Sequence, residues 1–262
     1  MSGKANIHQL FRILQSAMGP QHWWPAGSAF EVVVGAFLTQ NTAWTNVELA
    51  MQNLRTAGVL SISGIRNIPL AELEQLVRPA GYFRQKAARL KLFVDHLDLH
   101  HAGSLETIFA RPTPALREEL LTLPGIGPET ADSILLYAAN HETFVVDTYT
   151  RRIFERHGLA EPSADYDQIR LSVQKALAKE AAEEVAERAG DPATHLSEEP
   201  PPDRPATHMP SPASQMERSH LSQLYNEFHA LLVQTAKHYC VKGTPKCASC
   251  PLLPLLPKAK RE

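Results

Sequence analysis

Apolar residues recur at helical spacing along most of the chain up to about residue 180. Residues 30–38 are apolar almost throughout, which is typical of a buried helix or a buried strand. Residues 39–58 carry apolar side chains at helical spacing and end on Gly58, so we interpret the two segments as consecutive helices. The helical pattern returns in three later segments, at 71–77, 84–97 and 115–121. Because alternation with a period of two is scarce, the pattern predicts an all-α fold.

One long segment departs from this pattern. Residues 190–216 are rich in Pro, Ser, Thr and acidic residues and are nearly free of large apolar side chains. Such a segment cannot bury enough apolar surface to offset the entropy lost on ordering it, so we predict a disordered insertion there. Helical periodicity returns at 220–240, where Leu224, Phe228 and Leu231 share one face.

A basic segment lies inside the helical region. Tyr82 and Phe83 open a predicted helix whose charged residues are expected on its outer face: Arg84, Lys86, Arg89 and Lys91. Of these, Arg84, Lys86 and Lys91 are candidates for contacts with phosphate groups, and the alternative is a charged surface that meets only solvent.

Composition limits the class of protein. The 262 residues are 44% hydrophobic and 21% charged, which is ordinary for a globular chain with a full core. With a net charge of −2, any binding of nucleic acid depends on a local basic or amide-rich face. The first residues lack the apolar run of a signal peptide, and no stretch reaches the roughly 18 apolar residues that span a bilayer, so we expect a cytoplasmic protein without membrane contact. The three cysteines lie within the last 23 residues, which favours metal binding or free thiols over disulfides.

The most informative stretch is 119–153. Its centre, LPGIG at Leu123–Gly127, predicts a turn between two helices, because Pro124 ends the first helix and Gly125 and Gly127 permit close backbone approaches. Pro128 is a favourable first residue for the second helix. Backbone N–H groups at this helix start can hold a phosphate, although an ordinary interhelical turn has the same sequence features.

A single carboxylate follows the turn. Asp147 comes after Val145 and Val146 and directly before a predicted helix, so it is a candidate helix cap as well as a candidate catalytic group. LPGIGPETADSILLYA followed by FVVDTYTRRI resembles the helix-hairpin-helix motif and catalytic aspartate of the endonuclease III superfamily of DNA glycosylases. The resemblance covers roughly 25–178 and 220–256. It implies that Asp147 stabilises the oxocarbenium-like charge that develops as a base leaves, or activates a water molecule.

The resemblance also implies a two-lobed helical fold. We expect a six-helix barrel lobe at 27–140, with the hairpin at about 119–138, and a second lobe made of 1–26, 141–189 and 217–262. In the family the catalytic cleft lies between the two lobes. The hairpin residues expected to contact DNA are Leu123, Pro124, Gly125, Ile126, Gly127 and Thr130.

One family residue is missing. Members with lyase activity carry a lysine in the hairpin just before a Thr-Ala pair, where it attacks the sugar and forms a Schiff base. Here that position is Glu129, and 119–153 contains no lysine. The resemblance therefore implies base release without efficient strand cleavage.

All three tryptophans lie between residues 23 and 44. This region resembles the bacterial 3-methyladenine glycosylases of the endonuclease III type, which implies a base pocket at Trp23, Trp24, Pro25 and Trp44. A cationic alkylated purine stacks well on indole, with a cation–π contribution of ~0.5–2 kcal/mol; core packing is the alternative for each tryptophan. Gln40 is expected either to fill the gap left in the duplex or to make an internal hydrogen bond. Lys237 is a further pocket candidate if the C-terminal helix returns to the N-terminal one.

Cys240, Cys247 and Cys250 have the spacing of three of the four cysteines that hold a 4Fe–4S cluster in many endonuclease III relatives, but the fourth position is Leu256. We expect a loop without metal, held by its leucines; if iron is bound, these three cysteines carry it.

The predicted function is a monofunctional, monomeric DNA N-glycosylase, associated with the nucleoid, that removes an alkylated purine such as 3-methyladenine from double-stranded DNA. The alternatives are a glycosylase for oxidised pyrimidines or mismatches with weak lyase activity, and a non-catalytic DNA-binding module.

Overall fold

The computed structural model describes residues 6–190 and 208–257. These residues are largely helical and contain no strand, so the predicted all-α class is confirmed. The α-helices are α1 (Ile7–Met18), α2 (Ala29–Leu38), α3 (Trp44–Thr56), α4 (Ile62–Asn67), α5 (Leu70–Leu76), α6 (Phe83–His101), α7 (Leu105–Phe109), α8 (Thr113–Thr122), α9 (Pro128–Ser133), α10 (Thr148–His157), α11 (Tyr166–Gly190) and α12 (His220–His238). A π turn, Ile134–Ala138, continues α9, and 3₁₀ turns lie at Arg78–Ala80, Cys247–Ser249 and Leu253–Leu255. None of the described helices has the length and apolar character needed to cross a membrane.

The chain forms two compact units. The hairpin unit consists of Ala26–His141 and Ser211–Met216, and the terminal unit of Met1–Pro25, Glu142–Pro210 and Glu217–Glu262. The prediction placed the division one residue away, at 26/27 and at 140/141. The hairpin unit also receives a short segment, Ser211–Met216, that the sequence had assigned to the insertion.

The hairpin unit is built around α2. Ser28 starts this helix by accepting a hydrogen bond from the Glu31 amide at 3.2 Å. Every residue from Val32 to Leu38 is buried, because α2 is apolar on all sides and packs against α3, α6, α9 and the π turn. The Phe37 and Phe93 rings meet edge to face at 5.7 Å. The apolar run at 30–38 is thus a core helix, one of the two options that its pattern left open.

The terminal unit is built around α12, which packs on α1, α10 and α11. Phe228 lies at the centre, with its ring 5.4 Å from Phe11, 5.6 Å from Phe144 and 6.4 Å from Phe154. The C-terminal helix therefore packs against the N-terminal one, which is the condition on which the sequence made Lys237 a pocket candidate.

The basic helix α6 corrects one expectation. Lys86 is 1% exposed instead of lying on the outer face. Its Nζ donates to the carbonyl oxygens of Leu38 at 2.9 Å and Ala80 at 2.7 Å. The lysine thus provides hydrogen bonds to two backbone carbonyl groups that lie at the ends of helical segments. Burial, with a smaller effect of Arg89, lowers the pKa of Lys86 to about 8. The helical pattern placed this position wrongly because the ends of other segments cover it.

The predicted disordered insertion needs a second correction. Residues 191–207 lie outside the described residues. At 208–216, however, the chain forms a hydrogen-bonded turn in which the Ser211 amide donates to Ser214 Oγ at 2.8 Å. The Ala213 amide donates to Ala26 O at 3.0 Å, and Ala213 is 1% exposed. A small side chain and backbone hydrogen bonds fix this segment without any large apolar residue.

Candidate active site and hairpin

The hairpin is a tight turn between α8 and α9. The Ile126 amide donates to Leu123 O at 3.1 Å, and Gly125 has a φ of +81°, which favours glycine. Ile126 and Thr130 are buried and anchor the turn, whereas Pro124, Gly125 and Gly127 are exposed. The two helices are tied together by a bidentate ion pair: Arg117 on α8 meets the buried Asp132 on α9 at 2.9 and 3.2 Å.

Gln40 braces the hairpin from the end of α2. Its Nε2 donates to Gly125 O at 2.9 Å and to Thr130 Oγ1 at 2.8 Å, while its Oε1 accepts from Arg89 at 2.9 Å. Of the two roles expected for Gln40, the structure has the internal hydrogen bonds. They fix the carbonyl of a glycine in the turn and the hydroxyl of a residue in the first turn of α9.

The two glycines of the turn have different surroundings. A Cβ on Gly125 would overlap the Arg89 guanidinium, which Gln40 holds in place. A Cβ on Gly127 would meet no protein atom within 4 Å, and its φ of −97° suits any residue. The packing of the protein therefore explains why residue 125 is a glycine. It gives no structural reason for a glycine at position 127.

Asp147 begins α10 in the terminal unit. Its Oδ1 accepts from the Thr150 amide at 2.7 Å, so the helix cap expected from the sequence is present. Its Oδ2 lies 3.5 Å from Nε2 of His229 on α12, and both side chains are largely buried, at 11% and 7% exposed. Burial favours the neutral acid, but the charge of His229 and the hydrogen bond from the Thr150 amide outweigh it and hold the pKa of Asp147 below its usual range.

The same helix α12 also holds the tryptophan segment. Oε1 of Glu227 accepts from the Gln21 amide at 2.8 Å, and burial raises the pKa of Glu227 to about 7 despite this bond. Two residues after Gln21, the rings of Trp23 and Trp24 lie 5.2 Å apart, each 6% exposed. Helix α12 thus contacts Asp147 through His229, and through Glu227 it contacts the segment just before Trp23 and Trp24.

The remaining predicted pocket residues divide between the units. Pro25 follows the indole pair in the terminal unit, while Trp44, half-buried, is the first residue of α3 in the hairpin unit. Lys237 is exposed in the last turn of α12.

The cysteine loop lies against α10. Cys240, Cys247, Cys250 and Leu256 line one cavity of about 20 Å³ together with His157. Leu256 therefore stands where the resemblance places a fourth cysteine, and its side chain is 5% exposed. A leucine cannot bind iron, so the donor set does not match a cluster held by four cysteines. Arg156 also donates to Cys240 Sγ at 3.1 Å, and burial raises the pKa of the Cys250 thiol.

Sequence comparison identifies the family of this protein. Residues 34–179, more than half of the chain, match the HhH-GPD superfamily of base excision DNA repair proteins. The chain belongs to this superfamily. It is an endonuclease III-like DNA glycosylase of base excision repair.

Relatives share nearly the whole chain. A protein of Methanocaldococcus jannaschii, provisionally named a DNA repair glycosylase, is 36% identical over 247 residues, which cover 94% of this chain and 93% of that protein. Among solved structures, the H. pylori 3-methyladenine DNA glycosylase bound to 1,N6-ethenoadenine is similar with a TM-score of 0.70 and 27% identity, over 91% of this chain and all of that one. A trapped covalent complex of endonuclease III with DNA also has a TM-score of 0.70, at 19% identity over 100% of this chain and 99% of that one, which shows a common fold.

The roles of three residues that shape the site could not be predicted from the sequence. His229 and Glu227 lie within an amphipathic helix whose spacing marks neither of them, and Arg89 is one of several charges on α6. Each acts through a residue distant in sequence, so only folding reveals the contact. The one available sequence indication was that α12 carries polar residues among its apolar ones.

Proposed function

We propose that this protein is a monofunctional DNA N-glycosylase that releases an alkylated purine, such as 3-methyladenine, by hydrolysis. The observation that carries the proposal is the fixed, ionised carboxylate of Asp147, held by a backbone amide and by His229. The likeness to a 3-methyladenine DNA glycosylase over that enzyme's whole length supports the choice of lesion.

Asp147 is the proposed catalytic residue. Loss of a purine places positive charge on the sugar, and a carboxylate that is already ionised stabilises this charge without waiting for a proton to leave. The Thr150 amide and His229 fix its orientation, which reduces the reorganisation needed in the transition state. His229 acts here as a positioning residue that keeps Asp147 ionised.

The proposed base pocket uses Trp23, Trp24, Pro25 and Trp44. A base removed from the duplex needs flat walls on which to stack, and a cationic alkylated purine gains from electron-rich indole. Lys237 and Gln40 are the polar members of the proposed set. Because Gln40 is bonded to the hairpin, we propose that it acts by bracing the turn.

The hairpin is the proposed phosphate contact. Its exposed residues Pro124, Gly125 and Gly127 present backbone to solvent at the start of α9, where amide groups favour an anion. The open space at Gly127 supports close approach of a DNA backbone at this position. Leu123, Ile126 and Thr130 shape and anchor the same turn.

The absence of lyase activity is proposed from the hairpin's chemistry. Glu129 is exposed at the start of α9, and a carboxylate cannot form a Schiff base. Lys86, which lies in the same unit, is buried with its amine bonded to two carbonyls, so it is a poor nucleophile for a sugar.

We also propose that the protein works as a monomer and without an iron–sulfur cluster. Leu252 and Leu256 are buried and Leu253 and Leu255 are half-buried, so apolar packing supports the loop that the cysteines occupy. Iron and acid-labile sulfide in the freshly purified protein test this; stoichiometric amounts of both would overturn it and assign the cluster to the three cysteines.

The decisive experiment is base excision from defined duplexes that carry 3-methyladenine, 7-methylguanine, thymine glycol or no lesion, with and without alkali. We expect release of methylpurine and strand breaks only after alkali. Cleavage of the thymine glycol duplex without alkali would overturn both the lesion and the monofunctional assignment.

A matched pair of variants tests the catalytic residue. Asp147→Asn keeps a good helix cap and removes only the charge, so we expect folded protein that binds DNA and has lost base release. Asp165→Asn is the control, because Asp165 accepts from the Gln168 amide at 2.7 Å at the start of α11 but is exposed. Equal excision by both variants would refute catalysis by Asp147.

A further inference from the structure

Two histidines and a glutamate of the hairpin unit meet at one point between α6 and α8. Nε2 of His96 lies 2.7 Å from Glu119 Oε1, and Nε2 of His101 lies 2.5 Å from the same oxygen. His96 and His101 belong to α6, and Glu119 belongs to α8. The three ligand atoms all lie within 4.8 Å of one another.

The cluster is sheltered and oriented. The side chains of His96, His101 and Glu119 are 14%, 5% and 12% exposed, so water competes weakly for them. Arg111 pairs with the second carboxylate oxygen, Oε2, which leaves Oε1 directed at the imidazoles. The exposed His100 ring lies beside His96, with the ring centroids 4.6 Å apart and the planes tilted by 47°.

We propose that His96, His101 and Glu119 bind one divalent transition-metal ion of the Zn²⁺ class. Two imidazoles and one carboxylate are a ligand set that zinc accepts, with a fourth position left for water. Ligands at zinc's bond lengths of ~2.0–2.2 Å lie about 3.4 Å apart around a tetrahedral ion, so the cluster needs only small side-chain movements. The site lies in a different unit from the cysteine loop and uses none of its residues.

Two features of the surroundings favour a cation here. His101 is the last residue of α6, where the unpaired carbonyl groups of a helix end give a partial negative charge. Arg111 supplies the outer hydrogen bond that metal-binding carboxylates usually receive, and at 44% exposure its own charge is largely solvated.

The metal would fasten α6 to α8. Glu119 lies in the last turn of α8, four residues before Leu123 at the start of the hairpin turn. An ion that fixes this end of α8 would hold the entry to the turn without touching DNA or the proposed catalytic residue. The role is therefore structural and independent of the proposed function.

Co²⁺ binding to the chelator-treated full-length protein tests the proposal, because cobalt reports its ligands by visible absorption. We expect one Co²⁺ per chain with ligand-field bands but no thiolate-to-cobalt charge-transfer bands, and displacement by Zn²⁺. Thiolate bands alone would place the ion on the cysteines and overturn the proposal, as would the absence of any bound cobalt.

Variants locate the site. His96→Asn and Glu119→Gln should each abolish these bands, and Arg111→Gln should weaken Co²⁺ binding roughly tenfold as an outer partner. Glu118→Gln, an exposed neighbour on the same helix, is the matched control and should bind as the wild type does. Unchanged bands in His96→Asn would refute the assignment; should Glu119→Gln fail to fold, the wild-type spectrum and His96→Asn still decide it.

Discussion

The pKa or the backbone conformation of individual residues in this protein depends on one or two neighbours in the folded structure. Asp147 is buried, yet the charge of His229 and the Thr150 amide keep its pKa low. Gly125 is required by its positive φ and by the Arg89 guanidinium beside it, whereas Gly127 has neither constraint. Residues that look alike in the sequence therefore differ in their surroundings and should respond differently to substitution.

The two hairpin glycines should respond differently to alanine. Gly125→Ala forces a side chain into the left-handed region at a cost of roughly 1–2 kcal/mol and displaces Arg89 from Gln40. Gly127→Ala should leave the free energy of unfolding unchanged but weaken DNA binding, because its Cβ projects into the space proposed for a phosphate. Urea unfolding and fluorescence anisotropy with duplex DNA measure the two effects; equal loss of stability in both variants would contradict this account.

His229→Gln should shift the pH dependence of catalysis. Glutamine cannot supply the charge through which His229 lowers the pKa of Asp147, so that pKa rises and the carboxylate becomes protonated at a higher pH. We expect the acid limb of the kcat/KM profile for base excision to move to higher pH. His238→Gln, at the exposed end of the same helix, is the control. An acid limb at the same pH in both variants would exclude an electrostatic role for His229.

At the scale of elements, α12 organises the terminal unit. It fills the core with Phe228, faces Asp147 with His229, and receives the Gln21 amide on Glu227. The helix therefore contains buried polar side chains. Such a side chain lowers the free energy of unfolding when it is ionised. Glu227 is one of them, since burial raises its pKa to about 7.

Glu227→Gln should stabilise the protein above neutral pH. The unfolded carboxyl releases its proton near pH 4.5, whereas the folded one keeps it to about pH 7, so stability falls as the pH rises through this window. Glutamine keeps an acceptor for the Gln21 amide and carries no charge. Urea unfolding should show an advantage for the variant that grows from pH 5 to pH 8, on the order of 3 kcal/mol at most. The exposed Glu161→Gln should show no such trend; an advantage independent of pH would contradict the titration of Glu227.

At the scale of the whole molecule, each unit is assembled from separate parts of the chain. The terminal unit takes residues from both ends and the middle, and the hairpin unit takes Ser211–Met216 after a long interval in sequence. That short segment is fixed by Ala213, whose amide bonds to Ala26 O. The chain path therefore depends on a stretch whose composition gave no indication of order.

Ala213→Glu should destabilise the protein, because it places a carboxylate without a partner in a position that is 1% exposed. The expected loss in the free energy of unfolding is about 3 kcal/mol or more. Met209→Glu in the same segment is the control, since Met209 is 85% exposed and its replacement should be nearly neutral. Urea unfolding of both variants tests this, and matching midpoints would show that the segment is not fixed in solution.

The sequence by itself determined the class of fold, the family and several local features. Apolar spacing marked the helices, LPGIG marked the turn, and the residue before α10 marked a cap at Asp147, because each of these depends on neighbours a few residues away. Tertiary structure decided the surroundings of each charge: the burial of Lys86, the bracing of Gln40 by Arg89, the pairing of Asp147 with His229, and the meeting of His96 with Glu119. These contacts join residues tens of positions apart, and their energies depend on desolvation and on distances of a few ångströms, which no local pattern in the sequence specifies.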